Sequence, residues 1–334
     1  MARALLGLVL AVVTTGCAVH AQSVSEQPNA RLSLAVDWEK TIPGTLTQGI
    51  VQACIDRNKN LQLIITARPP FAANTGIWIT FDSNGRVLEE TPEPALETLS
   101  SVSVWCAQNG QIVLGISSQR VALRFSSSHQ LLSREVLPQD FRSVFTDDTG
   151  TLLLAPFFGA AVLVSVQQDT SGVPISHAVA TTSDSRFTPP SGRFVVPDPR
   201  NGTFVSLESS PENIAVYSRS GALLLKKSVY DSLCVRGAVV VGDPPAVCRD
   251  WEYGLFPLGR DLFIADVQHY SSFGETLEYQ VLDRDFNVVG RVSATGVGTI
   301  VAADDDGNVY GVGGSSIDGR PQIQIIRAHL AQAH

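Results

Sequence analysis

Lysine, long apolar runs and paired cysteines are what this chain has least of. Only four of its 24 basic residues are lysine, charged residues make up 17% of the 334, and the formal net charge is −8. No basic run of the kind that neutralises phosphates occurs, which argues against a nucleic-acid partner. There is no Cys-x-x-Cys pair and no H-E-x-x-H pair, so neither a zinc site nor a thioredoxin-like motif is indicated. The serines of the stretch from Gly313 to Gly319 lack the spacing of a nucleophile elbow. No cofactor and no metal are expected. Sustained 3.6-residue periodicity is missing too; the apolar runs are short, β-branched and bounded by Gly, Asn, Asp or Ser, which excludes a helical architecture.

What is present is a repeat. Near the C-terminal end, Ala302 to Val312 reads AADDDGNVYGV. As a calcium loop with Gly307 at position 6, it would place Ala302 at position 1 and Gly313 at position 12, where carboxylates are required. As a tight turn between two strands it needs only the positive φ that Asp306-Gly307 supplies. Five similar stretches precede it: IDRNKNLQLII from Ile55, WCAQNGQIVLG from Trp105, FTDDTGTLLLA from Phe145, VPDPRNGTFVSL from Val196 and FPLGRDLFIAD from Phe256. Their spacing fits the ~40–50 residues of a four-stranded propeller blade. A second turn follows about twenty residues later in each of the first five repeats: FDSNGRVL, FSSSHQLL, QQDTSGVPI, YSRSGALL and LDRDFNVVG.

The sequence therefore predicts an all-β fold, a six-bladed β-propeller with four antiparallel strands per blade over residues 31–330. The sixth repeat is one strand short. The stretch from Arg31 to Lys40 alternates Leu32, Leu34, Val36 and Trp38, and is expected to close the ring by completing the last blade. Residues 1–21 read as a signal peptide, with Arg3 before an apolar stretch from Leu5 to Val13 and Val19-His20-Ala21 before the cleavage point. Residues 22–30 form a flexible segment and 331–334 a tail. The stretch Leu5 to Val13 is too short to span a bilayer. A competing reading makes Thr14 to Cys17 a lipobox with a lipid anchor on Cys17. Export to the periplasm or beyond is the expectation, with a lipid-anchored envelope protein as the alternative.

Cleavage after residue 21 leaves four cysteines, an even number that suits an oxidising compartment. Cys234 and Cys248 flank one long connection and are expected to pair, a closure that would contribute ~3 kcal/mol on the chain-entropy model. Cys54 and Cys106 lie just before their repeats' first turns on neighbouring inner strands. A second bridge there and two buried free thiols stand as equal alternatives.

The D-x-x-G turns give the chain a resemblance to six-bladed β-propellers in the broad sense, the group that includes NHL-like, TolB-like and gluconolactonase-like proteins. Gluconolactonase-like members hold a metal on carboxylates and amides at the central funnel. No matching set of Glu, Asn, Asn and Asp is found here, so no metal and no family activity carry over.

In a four-stranded blade the first and third connections share one face, and the second connection and the blade-to-blade link share the other. The short turns thus fall on one face and the long, irregular segments on the opposite one. The long segments carry Arg142, Arg186 and Arg320 beside Trp251, His269 and Tyr270. Guanidinium groups among aromatics suit recognition of carboxylates. The bland counter-reading is that propeller loops are long anyway and arginine dominates this chain's basic residues. These features predict an exported, non-catalytic scaffold that binds a protein, peptide or anionic small molecule on its long-loop face. The alternative is a lactonase- or lyase-type enzyme with its site at the central funnel, where Gln48, Asp250 and Glu252 are the candidate polar residues.

Overall fold

The computed structural model describes residues 32–42, 50–66, 76–93, 102–156, 160–181, 194–209, 212–228, 250–271, 274–293, 296–317 and 320–332. They form six four-stranded antiparallel sheets arranged in a ring. Blade 1 comprises β2 (Ile50–Ile55), β3 (Leu61–Thr66), β4 (Gly76–Phe81) and β5 (Val87–Glu93). Blade 2 has β6 (Val102–Cys106), β7 (Ile112–Ile116), β8 (Val121–Phe125) and β9 (Leu131–Val136). Blade 3 has β10 (Phe141–Thr146), β11 (Leu152–Pro156), β12 (Ala161–Gln168) and β13 (Pro174–Thr181). Blade 4 has β14 (Phe194–Asp198), β15 (Thr203–Ser209), β16 (Glu212–Ser218) and β17 (Leu223–Ser228). Blade 5 has β18 (Asp250–Leu258), β19 (Leu262–Ser271), β20 (Gly274–Leu282) and β21 (Val288–Ser293). Blade 6 runs from the axis outward as β22 (Thr299–Ala303), β23 (Asn308–Ile317), β24 (Arg320–Gln332) and β1 (Leu32–Ile42). In that last sheet β1 lies antiparallel to β24, from Leu32 opposite Gln332 to Ile42 opposite Ile323.

The first strands of the blades neighbour one another in the order β2, β6, β10, β14, β18, β22 and back to β2, which makes them the inner wall. The core lies between blades. Leu258, Ile264, Tyr279 and Val281 of blade 5, for example, pack against Ile300, Val309, Ile326 and Ala328 of blade 6. Each such seam is built by the alternation of strand side chains, because successive residues point to opposite faces of a sheet and so to opposite neighbours. A fully buried Leu or Ile in these seams contributes about 1.5–3 kcal/mol.

The turns that revealed the repeat share one geometry. In IDRNKNLQLII the main-chain N–H of Asp56 bonds Asn60 O, and the N–H of Lys59 bonds Asp56 O. Oδ1 of Asp56 accepts from the main-chain N–H groups of Asn58 and Asn60. The same double acceptance recurs at Asp82, Asp147, Asp169, Asp283 and Asp304, and at Ser126 through its hydroxyl. The fourth turn residue takes positive φ, which explains Gly85, Gly110, Gly150, Gly172, Gly221 and Gly307. Lys59, His129 and Phe286 hold the same conformation without being glycine. Each has a compensating contact: Phe286 packs on Phe263 with ring centroids 4.9 Å apart, His129 lies over Trp78, and Lys59 pairs with Asp305.

Candidate functional site

The AADDDGNVYGV stretch is a turn. Asp304 is buried, and its carboxylate accepts from the Asp306 and Asn308 main-chain N–H groups and from Asn308 Nδ2, with Tyr310 Oη 3.3 Å from Oδ2. Its oxygens are committed to the fold, and among the described residues no group of three or more His, Cys, Asp or Glu could hold a metal.

The face carrying these turns is tied together between blades. Arg200 donates from Nη1 to Gly259 O at 2.8 Å and Leu262 O at 3.0 Å, joining blade 4 to blade 5, while its Nε bonds Asp198 at 2.7 Å. Gln62 Oε1 accepts from Trp78 Nε1 and Thr80 Oγ1 of its own blade and lies 3.0 Å from His129 Nε2 of blade 2. Lys59 pairs with Asp305 across the blade 1–6 seam and Arg219 with Asp148 across the blade 3–4 seam, while Arg284 and Asp261 join the two turns of blade 5. Asn201 is part of this face, its Nδ2 bonding Asp198 Oδ2 at 2.9 Å. Cys54 and Cys106 are joined by a disulfide between β2 and β6, their Cα atoms 5.5 Å apart. That decides the open alternative in favour of a bridge. Cys234 and Cys248, the pair expected first, lie outside the described residues, as do Arg186, Gln48 and Cys17.

On the opposite face the strand ends hold the remaining sequence candidates. Trp251 is the second residue of β18, and His269 and Tyr270 are the antepenultimate and penultimate residues of β19. The register puts Asp250 opposite His269 and Trp251 opposite Gln268, with Tyr270 opposite Glu275 of β20. Three of the candidates are thus at one end of one blade. Arg320 opens β24 in the next blade, opposite Ile317. Arg142 is not brought to them: it is the second residue of β10 in blade 3, across the ring from blade 6. It is half-buried there, and burial pushes its guanidinium down to about 10. Asp250 and Glu252, the axial candidates for an enzyme, are also on β18.

Reading the residues one by one missed Asp266. It is fully buried in β19, and its Oδ2 accepts from Ile300 N–H of blade 6 at 2.9 Å, while Oδ1 has no partner among the described residues. Burial raises its carboxyl to about 6, partly offset by the Ile300 bond. Its cross-strand partner Tyr279 donates its hydroxyl to Gly298 O, and burial followed by the Asp266 charge raises the phenol. The signal was an aspartate ending the apolar run FIAD, which the repeat alignment treated as the end of a strand.

No family model and no curated protein matches the chain by sequence. Solved structures do match it. A member of the DUF4221 family from Bacteroides vulgatus superposes with a TM-score of 0.59 at 10% identity, over 91% of this chain and 100% of that one. A Bacteroides fragilis protein named as a candidate exported protein gives 0.56 at 9% identity, over 92% and 97%. At such identities the likeness shows the β-propeller fold alone. A virginiamycin B lyase from Staphylococcus aureus, an inactive variant with quinupristin, reaches 0.49 at 8% identity over 86% and 99%, which does not bear on the enzyme alternative. No helix among the described residues is long and apolar enough to cross a membrane.

Proposed function

We propose that the protein is an exported, non-catalytic propeller that binds a protein, peptide or anionic small molecule on its long-loop face. The supporting observation is that the ends of long strands of blade 5 bring Trp251, His269 and Tyr270 together on the long-loop face. On the short-turn face Arg200, Arg219, Arg284 and Lys59 are taken up by carbonyls and carboxylates of neighbouring turns. On the long-loop face blade 5 extends strands of nine and ten residues, against five for β6 and β7, and their ends carry Trp251, His269 and Tyr270. Side chains on loops and strand ends held by a rigid ring are free to serve recognition at little cost to the core. The Cys54–Cys106 bridge supports the exported reading, since such bonds persist in oxidising compartments.

The test compares the faces. Trp251→Ala, Tyr270→Ala and Arg320→Ala should impair capture of a native partner from cell-envelope extract, each desolvated polar contact being worth about 1.5–3 kcal/mol. Arg219→Ala and Arg284→Ala should leave capture intact. Equal behaviour of the two sets would defeat the proposal.

A further inference from the structure

The second turn of blade 2 departs from most of its counterparts. Gly85, Gly172 and Gly221 supply the positive φ of the second turns in blades 1, 3 and 4, whereas blade 2 places His129 there at φ 58°. A side chain in this conformation carries a cost that glycine does not, so what the ring touches matters. The imidazole is 9% exposed and lies against blade 1. Its plane is tilted 32° to the Trp78 indole with the ring centroids 4.2 Å apart, Nε2 lies 3.0 Å from Gln62 Oε1, and Nδ1 lies 3.1 Å from Glu89 Oε2.

The hydrogen bonds around Gln62 fix where one hydrogen on this ring sits. Trp78 Nε1 can only donate, and it lies 2.9 Å from Gln62 Oε1; Nε2 of the same amide donates to Asp56 Oδ2 at 2.9 Å. A carbonyl oxygen only accepts. His129 Nε2 therefore carries a hydrogen and donates it across the seam, beside the Thr80 hydroxyl that bonds the same oxygen. The Asp56 charge polarises the Gln62 amide and makes that oxygen a stronger acceptor. On the other side of the ring, Glu89 Oε2 is within ion-pair distance of Nδ1 without the alignment of a hydrogen bond, and Glu89 Oε1 accepts from Thr91. A lone pair on Nδ1 gains nothing from that carboxylate, whereas a second hydrogen makes the ring a cation beside it. The indole face attracts a cation as well. Among the described residues the carboxylates reaching the ring are Glu89 directly and Asp56 through Gln62. The basic groups of the neighbouring elements are turned elsewhere: Arg124 of β8 to Glu135 and Gly150 O, Arg134 of β9 to Gln119, and Arg57 to the Gly110 turn.

We propose that His129 is a proton-dependent clasp between blades 1 and 2, closed when its imidazole carries both hydrogens and loosened when Nδ1 gives its hydrogen up. The cation is the form that Glu89 and the indole hold, so the coupling between His129 and Glu89 is present in acid and fades as the imidazole becomes neutral. The same seam carries the Cys54–Cys106 disulfide, and Cys54 stands directly opposite Gln62 in the β2–β3 register. A covalent link on the inner strands and a charged link farther out thus join one pair of blades, and only the second responds to pH. The inference is independent of what the long-loop face binds.

The test is a double-mutant cycle on the intact, disulfide-bonded protein, with His129→Asn, Glu89→Gln and the two together, each unfolded by denaturant in mild acid and in mild base. Asparagine tolerates positive φ, so the turn is preserved. The coupling should be worth about threefold or more in the unfolding equilibrium constant at about pH 5.5, and less than about 1.5-fold at about pH 8. A coupling of the same size at both pH values, one that grows towards the higher pH, or none at either would overturn the proposal. The parent supplies a readout that needs no variant. Nitrogen NMR of the His129 ring should show hydrogen on both nitrogens at the lower pH and on Nε2 alone at the higher one. A ring whose charge is the same at both, or one that holds its single hydrogen on Nδ1 at the higher pH, would overturn it as well.

Discussion

The two faces of the ring are made from the same strands but are built differently. On one, nine turns repeat a single hydrogen-bond pattern, and charged groups of neighbouring turns, within a blade or across a seam, are matched to one another. On the other, strands of blades 5 and 6 differ in length, and β23 runs on past Val312, where its pairing with β22 ends. Asp266, midway along a seam, has one carboxylate oxygen without a partner among the described residues. We propose that stability and recognition are divided between ends of the same blades. A turn that must hold two strands tightly has few side chains to spare.

The largest effect should come from the outer strand of blade 6. We propose that β1 closes the ring, since it pairs along β24 and sends Trp38 onto Phe81 and Tyr310 and over Gly85 of blade 1. Deleting residues 32–42 should abolish cooperative unfolding by calorimetry, because it opens an edge and removes a blade-to-blade contact together. A truncated protein that melts like its parent would show that β1 is decoration. Next, Arg200→Ala should cost about 3–5 kcal/mol in denaturant unfolding, as it removes the counter-charge of the buried Asp198 carboxylate and the donor to the carbonyls of Gly259 and Leu262. Reducing the Cys54–Cys106 bridge, or replacing Cys54 by Ser, should cost roughly 2–4 kcal/mol, measured as a shift of the denaturant midpoint.

A smaller, pH-dependent effect belongs to Asp266. Its folded-state value of about 6 lies above the 3.8 of an unperturbed group, so its contribution to stability is full below about pH 3.8 and is lost as pH rises through 6. Two units correspond to about 3 kcal/mol. Asp266→Asn should therefore flatten the stability profile between these values and exceed the parent above pH 6. A mutant whose profile runs parallel to the parent's would show that Asp266 is ionised at no cost.

Much of this was legible in the residues. Six repeats, their first and second turns and four strands per blade followed from Asp, Gly and β-branched spacing, because a turn held by its own aspartate is a local device. The positive φ of Lys59, His129 and Phe286 was less visible, since what permits it is a contact in another part of the fold, such as Phe263 for Phe286. The candidate arginines illustrate the limit. Sequence spacing placed Arg142 and Arg320 on one face, but position around the ring depends on which blade carries each, and they belong to blades on opposite sides. The overhang of β23 could not be read at all, because Gly313 to Ile317 continues the strand pattern and only the register of β22 shows where its partner ends.

The division of labour between the faces is tested most directly by paired thermal melts at constant pH. Asp56→Ala, Asp198→Ala and Asp304→Ala represent the turns, and Trp251→Ala, Tyr270→Ala and Arg320→Ala the long-loop strand ends. The turn variants should each lower the melting temperature by several degrees, at about 2 °C or more per kcal/mol for a domain of this size, and the strand-end variants should stay within about a degree of the parent. Strand-end variants that fall as far as the turn variants would contradict the account, because the long-loop face would then be part of what holds the ring together.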